Sequence, residues 1–305
     1  MPAPDTLLAD PFHPGEHAAQ RRAGVQRHGA AIRRYMPAQH RQFFAGLSYL
    51  PAAVPGGHGP LATLLAGPPG FIASPDETTL AITARPAADD PFTAALHPGT
   101  AMAVLGIDFA TRRRNRANGQ VASLTAGGIV LRVAESFGNC PQYIQQRTSE
   151  PRPGPSGPLE PLDGLDTAAQ AQIAAADTFF VASAAPAGVD ISHRGGRPGF
   201  VRLRGDRLTI PDFAGNRYYN TLGNLLLDPR AALLFPDFAS GDLLHVSGRV
   251  EIDWDRTDGF QGAERLWHVD ITRVWRRRSA VPRRWSAASP APTTLGTGSW
   301  TTQPG

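Results

Sequence analysis

Apolar residues occur mostly in short segments that are separated by turns rich in glycine and proline. Segments of this kind are typical of β strands. Gly and Pro contribute 32 and 29 of the 305 residues, which favours turns over long helices. In the first part of the chain the predicted strands are Tyr49–Val54, Leu61–Leu65, Thr79–Thr83, Met102–Ile107, Gln120–Leu124 and Ile129–Ser136. In the second part they are Thr178–Ala184, Val189–His193, Gly199–Leu203, Arg207–Ile210, Ala231–Phe235, Asp242–Asp253 and Leu266–Val274.

Three segments carry apolar residues at helical spacing. The first, Gln39–Leu47, follows Pro37, which suits the start of a helix. The second, Ala168–Ala176, follows a candidate N-cap at Thr167. The third, Asn216–Leu227, has the clearest apolar face, and an Asp-Pro pair directly after it ends the pattern.

Blocks of sequence recur at an offset of 129 residues, as between Gly67 and Gly196, which indicates two copies of one unit. One insertion and one deletion must lie between the blocks. The short strands and turns of each copy predict a closed or nearly closed antiparallel barrel. The recurring blocks are Gly67–Phe71 with Gly196–Phe200, Asp108–Ala110 with Asp237–Ala239, and Asn118–Val121 with Ser247–Val250.

The repeats and composition divide the chain into five parts. Five prolines between Glu150 and Pro161 are typical of a linker. The last residues are small and polar, and we expect them to be disordered. The predicted parts are an N-terminal arm (1–36), a degenerate barrel (37–147), a proline-rich linker (148–164), a ligand-binding barrel (165–285) and a disordered tail (286–305).

Composition excludes several classes of chemistry. All 30 basic residues are arginine, so a lysine Schiff base and a Walker A phosphate loop are both excluded. Cys140 is the single cysteine, so there is no intrachain disulfide, and a cytoplasmic location is expected. No apolar run is long enough for a membrane-spanning helix, and a single cysteine leaves no Cys pair with metal-ligand spacing. We therefore predict neither a membrane partner nor a metal site.

One turn of the second copy has the residues of a phosphate site. The strand that ends near Ile210 is followed by Pro211–Arg217, where the predicted helix begins at an Asn with an Arg beside it. Free N–H groups at a helix start attract anions, and a neighbouring guanidinium strengthens this. Upstream, His193–Gly199 combines cations with glycines that allow close approach of a ligand. Each feature alone is more often a simple turn, cap or solvated charge.

Residues 165–275 resemble the pyridoxamine 5′-phosphate oxidase-like flavoproteins, the FMN-binding split barrels. The resemblance lies in the Ile191–Val201 strand pair, the Pro211–Arg217 turn, the Asp228–Phe235 segment and the Val246–Val250 strand. The first half resembles the N-terminal portion of a predicted flavin-nucleotide-binding subgroup through Leu64–Phe71, Thr111–Gly119 and Gly138–Ile144. The resemblance implies a mainly β (α+β) fold of two tandem split β-barrels that form an internal pseudo-dimer, with a few short helices.

The resemblance also implies a site for FMN. Asn216 and Arg217 would hold the phosphate, and a second set would line the flavin: His193, Arg194, Gly199, Phe200, Val201, Pro211, Asp212 and Phe213. If the copies pair, the first barrel would close this site with Arg112, Arg116, Asn139 and Gln142. The first copy has no Asn-Arg at its own turn, so we expect one FMN per chain.

The predicted function is an FMN-dependent oxidoreductase with a small-molecule redox substrate or electron donor. The C-terminal arginine motif of true pyridoxamine phosphate oxidases is absent, so the vitamin B6 reaction is not transferred. The alternative is a non-catalytic flavin or haem binding module, for which His245 is a minor candidate ligand. The arginine runs lack interleaved aromatic residues, and we do not expect nucleic acid to bind. A homodimer of whole chains stays open.

Overall fold

The computed structural model describes residues 7–8, 10–25, 29–152 and 154–300. The first part of the chain contains three helices and seven strands among these residues. They are α1 (Pro14–Arg22), α2 (Ala38–Ala45), β1 (Tyr49–Val54), β2 (Leu61–Ala66), β3 (Ile72–Ala73), β4 (Thr79–Ile82), α3 (Pro91–Ala95), β5 (Ala101–Asp108), β6 (Arg113–Thr125) and β7 (Gly128–Gly138).

After a two-strand connection, the second part repeats the order of elements from α2 to β7 and adds one strand and one helix at its end. The connection consists of β8 (Ser149–Pro151) and β9 (Leu159–Leu162). The elements that follow are α4 (Thr167–Ala175), β10 (Thr178–Ala185), β11 (Gly188–Gly195), β12 (Arg202–Arg204), β13 (Arg207–Phe213), α5 (Asn220–Leu227), β14 (Arg230–Pro236), β15 (Leu243–Asp253), β16 (Ala263–Arg277), β17 (Arg283–Trp285) and α6 (Pro292–Leu295).

The two large sheets have the same strand order. The first runs β2-β1-β5-β6-β7-β4-β3, and the second runs β11-β10-β14-β15-β16-β13-β12. All neighbouring strands within them are antiparallel. In the second sheet β9 also pairs with β16, and β8 pairs separately with β17. The expected fold class, mainly β with two tandem split-barrel units, is confirmed.

The sheets share their irregular positions as well. A β-bulge lies between Asn118 and Gly119 in β6, and another lies between Ser247 and Gly248 in β15. A Cβ atom on Gly119 would stand 1.9 Å from the carbonyl oxygen of Arg132, and one on Gly248 would stand 2.5 Å from that of Asp270. Glycine is needed at both bulges because the neighbouring strand comes so close.

Four apolar clusters stabilise the described part of the molecule: one inside each sheet unit, one between the units, and a small one formed by Phe12, Ile32, Phe137 and Tyr218. Phe44, Leu80 and Leu131 belong to the first core, while Phe179 and Trp267 belong to the second. Burial of such side chains is the main favourable contribution to folding.

The third cluster joins residues of both units across their interface. Tyr49 and Phe109 of the first unit pack with Phe180, Ile191 and Leu234 of the second. This part of the interface is therefore apolar, and β11 of the second unit lies beside β5 of the first. This contact builds one wall of the cavity described below.

Several element bounds differ from the sequence prediction. Helix α5 begins at Asn220 rather than Asn216, because Arg217 and Tyr219 both adopt φ of 61°, a left-handed conformation that cannot continue a helix. Strand β6 begins at Arg113 rather than Gln120, because its polar residues are paired with β5. The polar run of arginine and asparagine in residues 113–118 concealed this part of the strand.

The N-terminal arm and the tail are more regular than expected. Helix α1 lacks a strong apolar period, but a capping box between His13 and Glu16 fixes its start. In the tail, Ser289 pairs with Gln146, and the Trp300 ring packs 4.7 Å from that of Phe260. The expected disorder is thus wrong for residues 286–300, while 301–305 lie outside the described residues. Residues 1–6, 9 and 26–28 of the arm and Pro153 of the linker also lie outside them.

Within the described ranges, no helix is both long and apolar enough to cross a bilayer.

Candidate functional site

A cavity of about 640 Å³, measured with its open mouth, lies between the two units. Strand β6 and the segment after β7 supply its wall from the first unit. Strand β11, the end of β13 and the start of α5 supply the wall from the second. The lining side chains that carry the argument are Arg114, Arg116, Asn139, His193, Arg194 and Asp212.

The turn between β13 and α5 closes one side of this cavity. The Asn216 side chain accepts a hydrogen bond from the backbone N–H of Tyr218 at 3.1 Å, which is an Asx turn. Arg217 stands at the mouth with half of its side chain exposed, 4.0 Å from a carboxylate oxygen of Glu264. The predicted phosphate residues are therefore at the cavity, but on a turn that precedes the helix.

Two arginines reach the cavity from the same face of β6. Side chains alternate along a strand, so Arg114 and Arg116 point the same way. Arg116 donates to Asp190 at 2.8 Å and to the hydroxyl of Ser192 at 2.5 Å. Arg114 donates to the carbonyl oxygen of Cys140 at 2.5 Å. The guanidinium groups of Arg114 and Arg116 are thus both held in place at the cavity by hydrogen bonds.

The second unit adds two further arginines around Asp212. Arg265 donates to Asp212 at 2.6 Å, and Arg194 lies 3.7 Å from the other oxygen of the same carboxylate. Burial lowers the pKa of Arg194, although Asp212 opposes this. Burial also lowers the pKa of Arg114 to about 10, and the positive charges of Arg194 and Arg116 add to that effect. The cations repel one another and remain charged at neutral pH.

Asp190 ties this cluster to the rest of the molecule. In addition to Arg116, it accepts hydrogen bonds from Asn118 and Asn224, each at 2.9 Å. Asn118 belongs to β6, Asp190 to β11 and Asn224 to α5. A buried carboxylate with three donors is well satisfied, so Asp190 fixes the position of Arg116.

The cavity contains hydrogen-bond donors that have no acceptor within the described part of the chain. In each case the donor atom is buried, and the residue that carries it lines the cavity. They are Arg116 Nε, Asn139 Nδ2, His193 Nε2 and Arg194 Nε. Unsatisfied buried donors are costly and rare in native structures. A ligand with several acceptor atoms would satisfy them.

A smaller cavity adjoins the first and has aromatic walls. It shares Arg114, His193 and Arg194 with the larger cavity and adds Tyr143 and Phe200. The rings of Tyr143 and Phe213 lie 5.1 Å apart at 33°. A Cβ on Gly195 would stand 2.0 Å from the Tyr143 carbonyl oxygen, so glycine is required where these segments meet.

The structure brings together most of the residues named from the sequence. Those that line the larger cavity are Arg116, Asn139, His193, Arg194, Asp212, Phe213, Asn216 and Arg217. Those that line only the smaller cavity are Gln142, Phe200 and Pro211.

Three predicted residues lie elsewhere. Val201 is buried in the core of the second unit, and Gly199 occupies a turn with φ of 82°. Arg112 donates to the backbone oxygens of Ile144 and Ser289, so it connects the tail to the first unit. Arg114 was not named as a site residue, because the strand predicted from the sequence began only at Gln120, and the alternation that puts Arg114 on the same face as Arg116 is visible only once β6 is known to begin at Arg113.

The equivalent positions around the other side of the interface are apolar or neutral. Matching the strand pairs places Leu65 at the position of Arg194, Leu243 at that of Arg114 and His245 at that of Arg116. His245 is 3% exposed, and its ring stacks on that of Trp275 with 5.4 Å between the ring centroids. The charged site is therefore one-sided.

No group of His, Cys, Asp or Glu in the described part of the chain could hold a metal ion.

Comparisons with known proteins give partial structural likenesses. No family model matches, and no curated protein matches. A variant of HupZ from Group A Streptococcus aligns with 11% identity and a TM-score of 0.31 over 37% of this chain and 98% of its own. A FAD-binding protein from Mesorhizobium loti aligns with 15% identity and a TM-score of 0.29 over 39% and 97%. A candidate pyridoxamine 5′-phosphate oxidase from Corynebacterium glutamicum aligns with 13% identity and a TM-score of 0.27 over 40% and 98%.

Proposed function

We propose that the protein binds FMN between its two units and acts as an oxidoreductase. The observation that carries the proposal is the set of acceptor-less donors in one cationic cavity: Arg116 Nε, Asn139 Nδ2, His193 Nε2 and Arg194 Nε. A phosphate group offers three acceptor oxygens and a charge close to −2, which suits these donors.

The charge of the cluster fits a dianion. Arg114, Arg116, Arg194 and Arg265 face two carboxylates, those of Asp190 and Asp212, which leaves two positive charges in excess. At the mouth, Glu264 lies 4.0 Å from Arg217 and 3.2 Å from Arg265, and including Arg217 and Glu264 leaves the excess of two positive charges unchanged. We expect the phosphate deeper in the cavity than the turn at Asn216 and Arg217, because the donors without an acceptor are buried there.

The aromatic walls fit the flat part of the same ligand. Tyr143 and Phe213 form one face of the smaller cavity, and Phe200 adds apolar surface. Pockets for cofactors are mostly apolar with a few placed polar groups. Bound there, FMN would supply hydride or electron transfer, and the chain would hold and shield it from water.

The binding proposal is tested with a conservative change in the cluster. Arg194→Gln removes one charge, and Asp212 keeps its closer partner Arg265 at 2.6 Å, so no buried carboxylate loses its only cation. Loss of one charge-assisted hydrogen bond should weaken FMN binding by about tenfold or more. Quenching of flavin fluorescence measures the dissociation constant.

Arg249→Gln is the matched control, since Arg249 is exposed on β15 and lies outside both cavities. It should leave FMN affinity unchanged. Equal affinity of Arg194→Gln and the native protein would contradict the proposal, as would a native protein that does not bind FMN.

Catalysis is tested separately from binding. We propose that a small-molecule donor or substrate enters past Arg217, the half-exposed residue at the mouth. When the flavin-loaded protein is mixed anaerobically with NADH or NADPH, the donor should reduce the flavin, and the flavin absorbance should be lost. A flavin that stays oxidised with both would indicate the alternative, a non-catalytic flavin carrier.

We also infer that the two units arose by duplication. The sequence blocks at an offset of 129 residues, such as Gly67 with Gly196, are joined by a common strand order and by bulges at equivalent glycines. Independent origin would not be expected to reproduce the bulges, since bulges are placed by local sequence.

A further inference from the structure

His193 stands at the junction of the two cavities. It lies on β11, is 4% exposed, and lines both the larger and the smaller cavity. Its ring meets those of Phe109 and Phe180 edge to face at 6.4 and 6.1 Å. The imidazole is thus held between apolar rings on one side and the ligand space on the other.

The proton on this imidazole is fixed by Arg114. The Arg114 Nη1 atom lies 3.1 Å from His193 Nδ1. A guanidinium group can only donate, so Nδ1 must accept and carries no proton. Burial, followed by the charges of Arg114, Arg194 and Arg147, holds the pKa of His193 well below its usual range. The ring is therefore neutral with its proton on Nε2.

The Nε2–H group then has no acceptor among the described residues. The neighbouring cations are stronger partners for a phosphate than a neutral imidazole is. Of these two cavities, Arg116 lines only the larger and Tyr143 only the smaller, whereas Arg194 and Phe213 line both. The unused donor at the junction is therefore placed between the charged and the flat part of a ligand.

We propose that His193 is a binding residue that donates from Nε2–H to an uncharged acceptor on the ligand, either a carbonyl oxygen or an unprotonated ring nitrogen. The proposal rests on the proposed function and assigns a role to one atom within that site. Arg114 acts as a positioning residue here, because it sets the tautomer without needing to touch the ligand.

The tautomer can be observed in the protein without ligand. Nitrogen-15 correlation spectra of histidine side chains at pH 7 should show His193 as the neutral Nε2–H form, assigned by its loss in His193→Gln. This signal should keep the same form at pH 5.5. A protonated Nδ1 or a cationic ring would overturn the proposal whatever the ligand proves to be.

Comparison of the affinities for FMN and riboflavin then separates the role of His193 from that of Arg194. His193→Leu removes the donor and should weaken both ligands by the same factor, about threefold to tenfold for one neutral hydrogen bond. Arg194→Gln should weaken FMN far more than riboflavin, which has no phosphate. His193→Gln restores an N–H donor and should recover part of the affinity for both.

His245→Leu is the matched control, since His245 is equally buried but packs against Trp275 away from the site. It should lower stability without changing either affinity. Unchanged affinities in His193→Leu, or a loss confined to FMN, would overturn the role of His193 while leaving the flavin proposal standing. Failure of the native protein to bind either flavin would instead reject the proposed function.

Discussion

Buried arginines need acceptors for their N–H groups, and this need organises the site at the residue scale. Asp190 and Asp212 satisfy part of it through close pairs with Arg116 and Arg265. The remaining donor atoms, Arg116 Nε, Arg194 Nε, Asn139 Nδ2 and His193 Nε2, point to a ligand because none of them has an acceptor in the described part of the chain. Asp190 does not accept hydrogen bonds from these donors, since its oxygens already receive hydrogen bonds from Asn118 and Asn224.

Sequence reasoning identified the residue types of the site better than their exact roles. His193 and Arg194 could be named because cations beside glycines are informative in the linear chain, whereas Arg116 was named through the resemblance of Thr111–Gly119 to a flavin-nucleotide-binding subgroup. Arg114 could not, because its value depends on the ring of His193 in another unit. The start of α5 was wrong because left-handed backbone at Arg217 and Tyr219 has no clear sequence signal in residues other than glycine.

Glu16 gives a prediction about pH. Burial raises its pKa to about 8, the charges of Asp190 and Glu135 add to this, and hydrogen bonds from the His13 backbone and Asn220 oppose it. The folded state thus binds a proton that the unfolded chain, with a carboxyl pKa of 4.5, has lost above that pH. Stability should fall as pH rises from about 5 to 8, by up to about 1.4 kcal/mol per unit from this group.

Glu16→Gln should remove this part of the pH dependence. Denaturant unfolding at several pH values measures it as the difference between native and variant proteins. The variant should gain stability relative to the native protein with rising pH. A difference that stays constant from pH 5 to 8 would contradict the raised pKa.

At the element scale, the contact of α1 with α5 explains how the N-terminal arm reaches the site. A Cβ on Gly15 would stand 2.3 Å from the Gly223 carbonyl oxygen, and one on Gly223 would stand 2.6 Å from the Glu16 Cα. His13 Nε2 lies 2.8 Å from Asn224 Oδ1 across the same contact. The sequence did not predict α1, because its stability comes from this close packing rather than from an apolar stripe.

Gly223→Ala should separate the two helices. A methyl group at this contact forces a backbone shift, with an expected cost of about 1–3 kcal/mol in unfolding free energy. Hydrogen exchange should also speed up in α1, since α5 no longer covers it. Gly127→Ala is the control, because nothing lies within 4 Å of a Cβ there. Equal stabilities of the two variants would show that the helices are not in close contact.

At the scale of the whole molecule, most of the fold followed from the sequence. Short apolar segments and the repeat at an offset of 129 residues, such as Gly67 with Gly196, were enough to anticipate two similar β units. The tail was misjudged because Trp300 attaches it through single contacts, among them a hydrogen bond from its indole N–H to the Phe200 carbonyl at 3.0 Å. Such contacts depend on distant residues and leave no periodic pattern.

The asymmetry of the interface predicts one flavin per chain. The charged site contains Arg114, Arg116 and Arg194, whereas the equivalent positions hold Leu243, His245 and Leu65. Burial of a phosphate among the latter would leave its charge unpaired, which is strongly unfavourable. Titration of purified protein with FMN should saturate at one equivalent. A second equivalent of comparable affinity would contradict the asymmetry.

The pairing of two unlike units in a single polypeptide also changes what one substitution can do. In a symmetric dimer of identical chains, an arginine introduced on the strand equivalent to β6 would occur in both subunits and would bring two charges to the interface. Here one strand carries Arg116 while its counterpart carries His245, so one half is free to specialise in ligand chemistry and the other in rigid support.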